Sequence, residues 1–131
     1  MDRVFLDANI LFLAAWREDS GLTRLWKLKQ TVLLTSTYAF EEAYRNLPNP
    51  QQRERLRQLT ADIEIVEVSI PDGPLVDEVD LPANDRPILA AAIATAATHL
   101  LTGDRRAFGR YYGKTLSGVQ ILRPASYLET K

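Results

Sequence analysis

Apolar and polar positions change their spacing in blocks along this chain. Val4-Phe5-Leu6 is a short continuous apolar run that closes on Asp7, the pattern of a strand buried on both faces of a parallel sheet. From Ala8 to Trp16 the spacing becomes helical, with Ile10, Leu11, Leu13 and Ala14 on one side. A second helical stretch covers Gly21 to Lys29, its apolar face built from Leu22, Leu25, Trp26 and Leu28. Val32 to Leu34 reads as the next strand and runs into Thr35-Ser36-Thr37, good helix N-cap residues. The helix they open spans Tyr38 to Asn46, and Pro48 and Pro50 stop it.

Gln51 to Thr60 is polar and rich in Arg, with Leu56 and Leu59 spaced as on an exposed helix. Ile63 to Val68 is a third strand by its β-branched content, and Pro71 to Pro82 reads as a loop. Asp85 to Ala97 carries the strongest helical signal, apolar on most sides, with Pro87 near its start, where a missing N–H costs least. His99 to Thr102 and Val119 to Leu122 supply a fourth and a fifth strand. The alternation predicts an α/β three-layer sandwich, a mostly parallel central sheet of four to five strands flanked by helices. No repeat or linker divides residues 1–131, so one domain is expected.

Composition narrows the chemistry. Absence of cysteine excludes a disulfide framework, a thiolate zinc site and a cysteine nucleophile. His99 is the only histidine, which argues against an imidazole-ligated metal or a Ser-His-Asp triad. A net charge of −1 means that any grip on nucleic acid must come from a local basic patch. The N-terminus lacks the basic start and long apolar stretch of a signal peptide, and no run is long enough to span a membrane. A cytoplasmic domain is expected.

Four acids from distant parts of the chain map to one rim of the predicted sheet. Asp7 follows the first strand and Asp104 the fourth; Asp85 opens the buried helix, and Glu42 lies in the helix after the second strand. Ligands of open α/β sheets sit beyond the carboxyl ends of the strands, where strand order reverses. Gathering carboxylates there costs repulsion and desolvation, which a hard divalent cation offsets; Mg²⁺ or Mn²⁺ suits oxygen ligands. Taken singly, Asp7 and Asp85 also suit helix N-caps, Asp104 a turn, and Glu42 a solvent-facing position. Glu41 points about 100° away from Glu42 on a helix, so only one of the two can aim at the site. Arg105, Arg106, Arg110 and Lys114 could hold RNA phosphates at the rim, or simply form a solvated face. Arg53, Arg55 and Arg57 read as an exposed helix, His99 as structural, and Trp16 and Trp26 as core or as a partner surface.

The motifs in order resemble those of the PIN-domain ribonucleases, including VapC-type toxins of toxin–antitoxin pairs. Val4 to Asn9 is similar to the family's opening strand with its D-x-N motif. Ser36 to Leu47 resembles its Glu-bearing helix, Asp85 to Ala92 its D-x-x-I-L-A-x-A segment, and Leu101 to Phe108 its T-G-D-x-x-x-F segment. The resemblance implies a metal-dependent endoribonuclease with Asp7, Glu42, Asp85 and Asp104 as metal-binding residues and Asn9 and Thr102 in support. It also implies an RNA substrate, an antitoxin partner and a homodimer through the first helices. Two features depart from the pattern. Arg105-Arg106-Ala107 stands where many relatives carry a further Asp, which leaves one metal or two open, and the loop before Asp85 is long. A receiver domain, a less favoured alternative, would need a phosphoacceptor Asp directly after the third strand, where Ser69-Ile70-Pro71-Asp72 stands, and a Lys near the fifth, where none matches; a haloacid-dehalogenase-type phosphatase would need D-x-D where Asp7-Ala8-Asn9 stands. A non-catalytic RNA-binding scaffold on the same fold is the remaining alternative.

Overall fold

The computed structural model describes residues 1–67 and 79–131. Strands β1 (Asp2–Leu6), β2 (Thr31–Ser36), β3 (Glu64–Val66), β4 (His99–Leu101), β5 (Thr115–Leu116) and β6 (Val119–Leu122) form one sheet in the order β3-β2-β1-β4-β6-β5. Every pairing is parallel except β5 with β6. Helices α1 (Ala8–Trp16), α2 (Thr37–Asn46), α3 (Pro50–Thr60), α4 (Arg86–Ala94), α5 (Arg105–Phe108) and α6 (Pro124–Glu129) surround it. Successive strand residues face opposite sides. Val4, Phe5, Leu6, Leu100 and Leu101 are all fully buried, so both faces of the central strands are covered and the sandwich has three layers.

Among the described residues the sheet has six strands where the pattern predicts four to five. The extra one, β5, is two residues long, too short to carry a period. It is joined to β6 by Ser117-Gly118, both at positive φ (50° and 85°), the conformation of a tight type I′ hairpin turn. Gly21 to Lys27 is a 3₁₀ helix rather than an α-helix. Pro50 does not merely stop a helix. It is the first residue of α3, capped by Asn49, whose side chain accepts from the Gln52 N–H at 2.9 Å. The buried helix ends at Ala94, and Ala96 adopts the left-handed conformation (φ 56°) that turns the chain toward β4. The strand expected at Ile63 to Val68 spans Glu64–Val66; Val68 and the loop residues before Val79 lie outside the described residues.

The Arg-rich helix α3 is more than a solvated face. Arg55 Nε and Gln52 Nε2 donate to the carbonyls of Ala15 and Trp16 at 3.1 Å, and Arg53 Nε donates to Leu47 O at 3.0 Å. These bonds satisfy carbonyls that the ends of α1 and α2 leave without helical partners. His99, the structural residue of the sequence reading, packs edge-on against Tyr127, whose hydroxyl donates to Asp2 Oδ2 at 2.7 Å and ties α6 to β1.

The core sits on β1 and β4, and its energetics follow. Leu100 is fully buried in β4, so Leu100→Ala should lower the unfolding free energy by about 2–5 kcal/mol in urea titrations. A loss below about 1 kcal/mol would mean that this strand is not at the centre of the core.

Candidate active site

Strand order reverses between β1 and its two neighbours, so the chain leaves β1 on one side toward β2 and returns on the other as β4. Asp7, Glu42, Asp85 and Asp104 all line a cleft of about 510 Å³ at the carboxyl end of this junction, together with Asn9, Phe12 and Asn46. Glu41 does not line it; one helical step away, it faces a separate hollow beside Ser36 and Glu67.

Asp7 is 4% exposed and held from three sides. Its Oδ1 accepts from the Ala8 N–H at 2.6 Å, and its Oδ2 accepts from Thr102 Oγ1 at 2.7 Å and from Asn9 Nδ2 at 3.3 Å. Thr102, fully buried at the end of β4, accepts in turn from the Asp104 N–H at 3.1 Å. Asn9 Oδ1 accepts from the Gly103 N–H at 2.9 Å. The β1–α1 turn and the β4–α5 turn are thereby stitched together by Asn9 and Thr102, and the stitch fixes the spacing of Asp7 and Asp104.

The capping reading and the cleft reading hold together. Asp7 caps α1, and Asp104 caps α5 by accepting from the Ala107 N–H at 3.2 Å; each caps a helix and still lines the cleft. Asp85 stands at the N-cap position of α4 but makes no side-chain cap bond, which leaves its oxygens to the cleft. Tyr38 on α2 donates to Asn84 O at 3.0 Å and clamps the turn that presents Asp85.

The electrostatics record the cost of this arrangement. Burial pushes Asp7 up to about 6, and the Glu42 and Asp104 charges add to the rise. Burial and the Asp104 charge push Asp85 to about 6 as well, and the two carboxyls lie within hydrogen-bonding reach of one another. Only a shared proton or a cation makes such a contact favourable. The donor set is all hard oxygen, which fits Mg²⁺ or Mn²⁺. Among the described residues no three His, Cys, Asp or Glu side chains are drawn in tightly enough to hold an ion by themselves.

The four rim cations separate. Arg110 forms an ion pair with Asp80 at 3.0 Å, and Lys114 is exposed in the turn before β5. Arg105 and Arg106 line a neighbouring cavity. The sequence reading missed Asn46, one helical turn beyond Glu42, where the i, i+4 spacing carries the signal. It also missed Tyr112, whose hydroxyl donates to Thr102 O at 2.9 Å and which no local pattern announces.

A mostly parallel α/β domain with an acidic cleft at its topological switch point defines the class. The family model described as PIN domain matches residues 3–106, and the chain belongs to the PIN-domain family, the nuclease family that its motifs resemble. Solved structures share the fold. VapBC2 from Rickettsia felis, bound to a DNA fragment from their promoter, is 18% identical with a TM-score of 0.70, over 92% of this chain and 98% of that one. Mycobacterium tuberculosis VapC20, described as a sarcin-ricin loop cleaving toxin, is 17% identical with a TM-score of 0.55, over 77% and 91%. FitAcB from Neisseria gonorrhoeae is 16% identical with a TM-score of 0.55, over 93% and 98%. No curated protein matches the sequence significantly. Among the described residues no helix is long and apolar enough to cross a membrane.

A raised carboxyl makes a signed prediction. Asp7 rises from 3.8 to about 6 on folding, so its charged form opposes folding above pH 6, by on the order of 3 kcal/mol. That penalty is relieved as pH falls from about 6 toward 4. In EDTA, the stability of Asp7→Asn relative to the parent should therefore rise by about 2–3 kcal/mol between pH 4 and pH 7.5 in paired denaturant titrations, on top of a fixed cost for replacing an acceptor oxygen by an NH2 group. A stability difference that does not change with pH would contradict the strain.

Proposed function

We propose that the chain is a divalent-cation-dependent endoribonuclease and the toxin of a toxin–antitoxin pair. The observation that carries this reading is the placement of four carboxylates, from four separate elements, around one cleft in a PIN-domain protein. Asp7, Glu42, Asp85 and Asp104 would hold Mg²⁺ or Mn²⁺. The bound ion would supply a water of lowered pKa and stabilise the departing oxygen of the phosphodiester.

The chain's own residues supply position. Thr102 and Asn9 fix the Asp7 carboxylate through its Oδ2, and Asp104 is fixed through its backbone N–H and its capping bond. Each oxygen of a carboxylate has two acceptor sites, so Asp7 keeps capacity for a ligand beyond its internal bonds. In this reading water would attack phosphorus in line and displace the departing oxygen, with no covalent enzyme intermediate. The partner reading rests on likeness to VapBC2 and FitAB, the latter described as bound to an IR36 DNA fragment. An antitoxin protein and a homodimer through the first helices fit a chain whose α1 exposes Leu13 and Trp16 to solvent. The expected location is the cytoplasm.

The test is RNA cleavage with Mg²⁺, Mn²⁺ or EDTA. The parent should cut only with metal, and folded Asp7→Asn should lose more than the roughly 10–100-fold that removing an outer-shell partner costs. Thr102→Val should fall within that range. Glu42→Gln should lose far more activity than Glu41→Gln. A folded parent that binds RNA and never cuts it would establish the scaffold reading, and metal-dependent cutting by Asp7→Asn would overturn the assignment of the site.

A further inference from the structure

A second cavity, of about 720 Å³, lies beside the acidic cleft and has the opposite charge. Arg105, Arg106 and Arg123 line it, with Tyr112 and Ser126. Asp104, on the wall of the acidic cleft, and Arg105, on the wall of the basic one, are chain neighbours. Arg123 follows β6 directly, and β6 pairs with β4 in a register that sets Leu122 beside Leu101. The Thr102 N–H continues that ladder to Leu122 O at 3.1 Å. Arg123 therefore stands on the same carboxyl rim as Asp7 and Asp104, one strand further along.

The cavity wall is rigidly joined to the acidic site. The Tyr112 hydroxyl donates to the carbonyl of Thr102, the residue whose side chain holds Asp7. The Arg123 guanidinium lies over the Tyr112 ring at 5.8 Å, and Tyr112 also feels the Arg105 charge. Among the described residues none of the three guanidiniums pairs with a carboxylate, whereas Arg110, Arg57 and Arg17 each do. Three like charges around one hollow repel, and a polyanion removes that cost. Guanidinium forks match phosphate oxygens, and the hollow is large enough for a nucleotide unit rather than a lone ion.

We propose that this cavity holds a phosphate of the RNA strand next to the one at the acidic cleft, with Arg105, Arg106 and Arg123 as its ligands and Tyr112 as the wall that orients Arg123. The inference rests on the ribonuclease reading for its substrate class. It supplies the local basic patch that a chain of net charge −1 requires, and it assigns the patch to Arg123 instead of Arg110 and Lys114.

The experiment measures binding of a labelled single-stranded RNA in EDTA across a chloride series, alongside cleavage in Mg²⁺. Each phosphate contact removed should reduce the slope of log affinity against log salt by about 0.7. The triple variant Arg105→Ala/Arg106→Ala/Arg123→Ala should show that loss, and Arg123→Ala alone a smaller one. Lys27→Ala, in the 3₁₀ helix, should show none. The three arginines are exposed, so the variants should keep the parent's circular dichroism. Parental affinity and slope in the triple variant, with cleavage intact in the parent, would overturn the cavity and leave the ribonuclease reading standing. Arginine-dependent binding without cleavage by the parent would support the cavity and overturn the ribonuclease reading. No RNA binding by the parent would overturn both. Inorganic phosphate that displaces RNA far better than chloride at equal ionic strength would assign the cavity to a free anion and overturn the strand proposal.

Discussion

Burial of the Asp7 carboxylate at the end of the central strand is the constraint on which the rest of the structure turns. A charged group 4% exposed needs partners on every side. Ala8, Asn9 and Thr102 provide them from two different turns. Thr102 can reach Asp7 only because β4 lies beside β1 in parallel, with Leu101 level with Leu6. The sheet order, the two turns and the position of Asp104 are thus one problem with one solution. Even so, those bonds do not compensate the burial, since Asp7 remains raised to about 6. The site stores an unfavourable charge arrangement that a ligand of opposite sign relieves.

The same rim divides into two electrostatic halves. The cleft at β1 and β4 gathers carboxylates, and the hollow at β4 and β6 gathers guanidiniums. Thr102 belongs to both, through its hydroxyl on one side and its carbonyl on the other. An elongated polyanion with a cation at one phosphate satisfies both halves at once, which neither a free metal ion nor a free anion does.

Much of this was legible in the sequence for a physical reason. Strands buried on both faces leave continuous apolar runs, and each such run ends where polar chemistry begins, so Asp7 and Asp104 could be placed at strand ends before any coordinates. Glu42 was separable from Glu41 only through the family pattern; the fold shows the reason, since one helical step turns Glu41 out of the cleft. What stayed hidden depends on geometry without period. The two-residue β5 is held by a turn rather than by hydrophobic spacing. Arg53 and Arg55 looked like solvent-facing charges because their partners are backbone carbonyls, which every sequence contains. Arg123 gave no signal because its neighbours in space come from a strand pairing and not from chain proximity.

The central claim is that the acidic cleft is built for a hard divalent cation. Calorimetric titration of Mn²⁺ or Mg²⁺ into the RNA-free protein, repeated in buffers of different ionisation enthalpy, tests it directly. Asp7 and Asp85 both sit near pH 6 without metal, and ligation requires the charged form. Binding at pH 6 should therefore release about one proton, with the release fading by pH 8. Absence of binding, or binding at pH 6 with no proton released, would contradict the account.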